Sequence, residues 1–216
     1  EASMILVKVF RNGHLTEISI NNLVVGDHVL LQPADTVPTD GQLVAGHAEV
    51  DEAALTESLL GDGASAHDIA DALAEHKALR IARRAPEKLV LGCDQLLECE
   101  GHLFAKPTSP EDARQQLLAL RGRTHRLHTA AVLCQGGEPV WRHVATPRLT
   151  MRDFSEPWLD GYLQRNWDAI RHCVGCYQIE AEGIRLFRAI EGDLFAIQGL
   201  PLLPLLDILL TRQEIA

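Results

Sequence analysis

Residues 89–95 read Leu89-Val-Leu-Gly92-Cys93-Asp94-Gln95. An apolar run this short, closed by glycine and then by polar residues, predicts a buried strand over 89–91 that ends at 92–95. Upstream, residues 66–84 place Ala70, Leu73, Ala74, Ala78 and Ile81 on one helical stripe, with Ser65 as N-cap and Pro86 as the stop. Downstream, Ser109-Pro110-Glu111-Asp112 combines a capping serine, a proline at the first helical position and acids at the positive end of the dipole. That signal predicts a helix running to Arg121 and stopping at Gly122. A strand between two helices predicts the α/β class.

Further out, His125–Leu133 and Val140–Thr150 read as a hairpin around Gly136-Gly137. Ser155-Glu156-Pro157 opens another helix, residues 177–198 return to strand character, and 202–212 close as an apolar helix. The head differs. Ile5–Phe10, the Asn12-Gly13 turn signal, His14–Ile20 and His28–Gln32 read as short strands with no helical period. The change near residue 50 predicts two parts: a β-rich segment over 1–48 and an α/β domain over 49–216.

The chain has 216 residues, 46% hydrophobic and 23% charged, which suffices for a packed core. A net charge of −10 argues against a nucleic-acid polymer as partner, yet a few clustered cations can hold one triphosphate. The apolar run Gly199–Leu210 contains two prolines and Asp207 and is too short to span a bilayer, so no membrane association is expected. Five cysteines is an odd count in a chain of this size, so no disulfide framework is expected. A cytoplasmic protein without a signal peptide is the default reading. Cys173-Val-Gly-Cys176 is a lone C-x-x-C: a zinc ribbon needs a second pair, and a redox pair lacks a thioredoxin-like context. His125 and His128 fall on opposite faces of a strand, so they are not a metal pair.

From 50 onward the motifs resemble those of the Maf family of nucleoside triphosphate pyrophosphatases. Leu89–Gln95 resembles the strand that delivers that family's catalytic aspartate. Phe104-Ala-Lys106-Pro107 is similar to its Gly-Lys-Pro signature, and Thr124-His125 through Thr129 to its "G-x-x-H-x-V-x-T" strand. Gly175-Cys-Tyr177-Gln-Ile-Glu180 is similar to its "G-x-Y-x-x-E/Q" loop, and Ala196–Leu203 to its "G-L-P-L" end. Leu73–Ala78 resembles its "A-x-x-K-A" helix and Val50-Asp51-Glu52 its "(I/V)-D-E" turn.

The head departs from that pattern. Residues 1–48 contain no "S-x-S-x-x-R", the family's opening phosphate-binding loop. Instead, Gly26-Asp27-His-Val-Leu through Asp40-Gly41 resembles the actuator domain of P-type ATPases, with its "G-D-x-V-x-L…P-x-D-G". Both families can claim Val50–Ser58, but the pump's glycine is missing between Thr56 and Glu57. We assign this stretch to the Maf-like part. The pump's phosphorylated "D-K-T-G-T" aspartate is absent from the sequence.

The resemblance implies a Maf-like mixed sheet with flanking helices and a metal-dependent enzyme. It would hydrolyse a nucleoside triphosphate between the α- and β-phosphates, with magnesium or manganese as cofactor and a homodimer as an allowed assembly. It implies catalytic roles for Asp94, Glu52, Lys77 and Lys106, with Asp94 and Glu52 holding the metal. Those residue types suit the reaction, because displacement at phosphorus needs a cation, carboxylates to hold it and lysines to neutralise the chain. Read without the family, Asp94 also suits a helix cap and Glu52 a solvated turn. Asp94-Gln95 with Glu180 resembles the type acting on 7-methyl-GTP, and a carboxylate can accept from the N–H edge of guanine. Glu180 as a further metal ligand or a structural acid stays open. The missing loop implies impaired turnover. The alternatives are a non-catalytic nucleotide-binding remnant and an interaction module built on the β-rich head.

Overall fold

The computed structural model describes residues 6–11, 14–24, 27–30 and 52–216; the side chains of residues 20 and 52–54 are outside that set. The chain divides into two compact units, Glu1–Glu49 and Val50–Ala216.

In the first unit, β1 (Leu6–Arg11), β2 (His14–Ser19) and β3 (His28–Leu30) form a three-stranded antiparallel sheet in the order β2-β1-β3. Arg11 grips the Asp27 carboxylate through Nε at 2.7 Å and Nη2 at 2.6 Å. That fork holds the Asp27 carboxyl down at about 2. The remaining motif residues of the actuator-like head, over 31–49, lie outside the described residues.

The second unit begins with α1 (Glu52–Gly61), a helix where the sequence suggests a turn. The glycine missing between Thr56 and Glu57 would fall inside this helix, and without it nothing interrupts the helical run. Next comes α2 (Ala66–Ala82), capped as expected: Ser65 Oγ accepts from Asp68 N at 3.2 Å. The strand β4 then runs from Val90 to Cys99. It does not end at Gly92 as expected, because its partner β6 supplies a ladder through the whole stretch, from Val90↔Cys134 to Glu98↔Arg126. Glycine here is a packing feature and not a break. The elements β5 (His102–Phe104) and α3 (Pro110–Leu120) follow, the latter capped by Ser109 and ended at Gly122 with φ of +72°.

The predicted hairpin is present, but its second arm is split. The strand β6 (Thr124–Gln135) pairs with β7 (Glu138–Ala145) over its C-terminal part and with β8 (Arg148–Met151) over its N-terminal part. The break falls at Thr146-Pro147, where proline lacks an N–H for the ladder. After α4 (Glu156–Ile170), only β9 (Phe187–Glu191) of the expected extended stretch 177–198 is a strand. Residues 182–186 form a 3-10 turn, and Asp193 caps the short helix α5 (Leu194–Ile197) through Phe195 N and Ala196 N. The last helix is α6 (Leu202–Thr211).

The α/β class holds. The large sheet runs β5-β4-β6-β8-β9, with β7 also on β6, and every pairing among the described strands is antiparallel. Its two faces pack differently. One carries α2 on an alanine-rich layer: Ala70, Ala74, Ala78 and Ala82 against Ala130, Val132 and Cys134. The other buries a larger core of Leu97, Leu117, Leu127, Leu149, Tyr162 and Leu186 beneath α3 and α4.

Candidate active site

Small side chains let α2 approach the sheet closely. A Cβ added at Gly92 would collide with the Ala74 carbonyl and stand 2.6 Å from Ala78 N. Two residues on, alternation returns Asp94 to this same face. Lys77, one residue before Ala78, reaches it: Lys77 Nζ donates to Asp94 Oδ1 at 2.5 Å. The pair is partly shielded, the side chains being 32% and 11% exposed, so water competes less than on an open surface.

An arginine that sequence reasoning missed bridges β7 to α2. Arg142 on β7 donates from Nη1 to Asp71 and from Nη2 to Glu75, the second at 2.7 Å. Both acids project from α2 four residues apart, one helical turn, and that spacing was the available signal.

Asp94 therefore sits in the middle of β4, flanked by ladder hydrogen bonds to β6. The expectation that the strand stops before Asp94 is corrected. An antiparallel sheet has no common carboxyl edge, and Asp94 lies on a face of the sheet under α2.

Gln95 points to the opposite face. Its Nε2 donates to Thr129 Oγ1 at 2.8 Å and to the carbonyls of Ala196 at 2.9 Å and Ile197 at 3.1 Å. Thr129 Oγ1 in turn donates to Ala196 O at 2.8 Å. The Gln95 amide nitrogen thus ties α5 to the sheet. No sequence signal marks those carbonyls.

Lys106 follows β5, whose Phe104 pairs with Leu97. The ladder ends there, and residues 105–107 continue as irregular chain. Glu180 is exposed on the segment after α4. Both act on Cys173: burial pushes its thiol up, a bond from Gln178 opposes this, Glu180 adds to the rise and Lys106 pulls it down. Lys106 and Glu180 therefore each lie within electrostatic reach of Cys173. Glu52 is the first residue of α1, and its side chain lies outside the described residues. Among the described residues, no cluster of three or more His, Cys, Asp or Glu could by itself hold a metal ion. All five cysteines are free thiols.

The motifs quoted above agree with one comparison. A family model described as Maf-like protein matches residues 38–212. The chain belongs to the Maf family. A second model, described as P-type ATPase actuator domain, matches residues 2–63 and overlaps the first. Relatives named nucleoside triphosphate pyrophosphatase are similar at family-wide length. One from Roseobacter denitrificans is 51% identical over 168 residues, covering 78% of this chain and 84% of the relative. One from Rhodospirillum rubrum is 52% identical over 160 residues, covering 74% and 79%. One from Caulobacter vibrioides is 49% identical over 160 residues, covering 74% and 80%. The Maf match takes in every proposed site residue, from Glu52 to Glu180. No helix among the described residues is long and apolar enough to cross a membrane.

Proposed function

We propose that this Maf chain hydrolyses nucleoside triphosphates between the α- and β-phosphates, releasing a monophosphate and pyrophosphate. The observation that carries the reading is the Lys77–Asp94 pair, seated by the alanine layer on one face of the sheet. A lysine and a carboxylate held together before substrate arrives form an exchangeable contact. The incoming phosphate chain offers Lys77 a new acceptor, and Asp94 is released beside the phosphorus to be attacked. Asp94 then orients a water and takes its proton as the water oxygen bonds to phosphorus and the bridging P–O bond breaks. Lys106, approaching from the β5 side, would neutralise the departing pyrophosphate.

The donors suit magnesium or manganese. Such ions are commonly bound through one or two carboxylates plus substrate phosphates, and Asp94 with Glu52 supplies that number. When bound, the ion would neutralise phosphate charge.

For the base, Glu180 favours guanine-type triphosphates, including 7-methyl-GTP, because a carboxylate accepts from the guanine N–H edge. Gln95 acts indirectly in this reading, since its amide nitrogen is committed to α5. Residues 2–48 fall within the actuator-like match, residues 1–37 lie outside the Maf match, and residues 1–48 lack "S-x-S-x-x-R". They withhold the arginine and helix N-terminus that would grip phosphate, so turnover is reduced. Measuring pyrophosphate release across a nucleotide panel, with magnesium or manganese, tests the proposal. Nucleotide binding without any release would leave a binding remnant as the correct reading.

A further inference from the structure

The segment between α4 and β9 is tied down heavily for a surface connection. Tyr162 on α4 donates its hydroxyl to Cys176 O at 3.1 Å. Gly175 and Cys176 are consecutive left-handed residues, with φ of +79° and +60°. A Cβ at Gly175 would stand 2.5 Å from Leu97 Cδ1, so the backbone lies directly on the core. Gly183 closes the other end, where a Cβ would meet Gln178 N at 2.8 Å. Between these points Tyr177 and Ile179 are buried, Gln178 is half-buried and Glu180 is exposed.

At the centre is a bond the mechanism does not use. The Tyr177 hydroxyl lies 2.9 Å from His125 Nε2. His125 is buried on β6, its ring tilted against Tyr177 and Phe187 at 5.7 and 5.9 Å between centroids. Tyr177 also meets Phe187 edge-on at 4.8 Å. The second ring nitrogen of His125, Nδ1, has no hydrogen-bond partner among the described residues. A leucine or phenylalanine would fill such a core position without an unmatched polar atom. The imidazole is explained by what its other nitrogen holds.

We propose that His125 and Tyr177 form a positioning pair that pins the 173–183 segment to the sheet, so that Gln178 and Glu180 meet the nucleotide base from a fixed place. The inference rests on the reading of Glu180 as the base contact. Neither His125 nor Tyr177 touches the reacting phosphates in this scheme. Its expected signature is therefore in binding and base choice and not in the chemical step.

Tyr177→Phe removes one hydroxyl and keeps the ring packing. His125→Phe removes the imidazole, and His125→Gln retains a donor and acceptor. Hydrogen exchange is followed along the full chain, with steady-state kinetics on GTP, 7-methyl-GTP and UTP. Tyr177→Phe and His125→Phe should speed exchange over 175–183 by about five-fold, the loss expected for one net hydrogen bond, and leave the β4–β6 amides unchanged. They should raise KM for the guanine nucleotides several-fold while kcat stays within about two-fold. His125→Gln should recover most of both effects. Unchanged exchange over 175–183 in Tyr177→Phe, or an equal rise along the whole chain, overturns the inference. Glu180→Gln separates the two readings. If it leaves base preference unchanged while Tyr177→Phe still loosens 175–183, the pinning stands and the base contact falls.

Discussion

Replacing Gly92 with alanine tests whether the close seat of α2 makes the site. The added Cβ would stand 2.6 Å from Ala78 N and 2.8 Å from Ala78 Cβ, where ordinary contact begins near 3.4 Å. The Ala74 carbonyl oxygen would stand closer still, so the helix must withdraw by more than the roughly 0.8 Å that relieves Ala78 N, on the order of 1 Å, and the nearest atoms are backbone that cannot rotate away. Overpacking of this kind destabilises by about 1–3 kcal/mol. Lys77 rides on the displaced helix, so its 2.5 Å contact to Asp94 opens by a similar amount. A misplacement near 1 Å can lower a rate by ~10²-fold. Urea denaturation measures the first quantity and pyrophosphate release the second. Gly92→Ala combined with Ala78→Gly should recover only part of the loss, because the Ala74 carbonyl and Ala78 N remain in the way. A Gly92→Ala protein with unchanged stability and turnover would refute the reasoning.

Asp94→Asn keeps the shape and removes the charge, and should lower pyrophosphate release by ~10²-fold or more; full activity in that variant, or in excess chelator, contradicts the assignment. Guanine-type triphosphates should outpace UTP and dTTP in initial-rate assays, and Glu180→Gln should narrow the gap. Replacing residues 1–48 with a strand–loop–helix carrying "S-x-S-x-x-R" should raise kcat/KM, since each charge-assisted contact contributes about 1.5–3 kcal/mol; equal activity in the native chain would show that the head is no defect. Burial lowers the His125 imidazole from 6.5 to about 4. The stability it protects is complete above 6.5, falls as pH drops through that window and levels off below about 4. Across the window this amounts to about 3 kcal/mol. Denaturation of wild type and His125→Gln between pH 7 and 4 should diverge by that order, and parallel curves would count against it.

Helix starts were legible because their signals are local. Ser65, Ser109 and Ser155 each cap the helix expected of them, through side-chain bonds three residues ahead. Most of the α2 stripe was legible as period: Ala70, Leu73, Ala74 and Ala78 are buried as expected, whereas Ile81 is exposed and Ala82 is buried in its stead. The length of β4 was not. Glycine and aspartate inside a run normally signal its end, and only a twelve-residue partner strand overrides that local preference. The break at Pro147 was hidden for the complementary reason: one strand takes two partners along its length, and no local period encodes that. For the candidate site, the family motifs single out Asp94 and Lys77, but that the two share a face follows from where β4 extends. The Arg142 fork and the Gln95 ties depend on partners 67 to 102 residues away, beyond any reading of local spacing.

The strand β6 serves both faces of the sheet. Ala130, Val132 and Cys134 seat the helix that carries Lys77, while His125 and Thr129 receive Tyr177 and α5 from the other side. Each set holds its face by the two-residue alternation of a strand. One inserted residue near Arg126 would turn every side chain beyond it to the wrong side. Alanines would then meet the large core and Thr129 would face α2, so both halves of the proposed site would fail together. Insertions at the Gly136-Gly137 turn leave the pattern intact. Length changes within this family should therefore gather at that turn and be missing from β6, and the phosphate and base halves should be inherited as one piece.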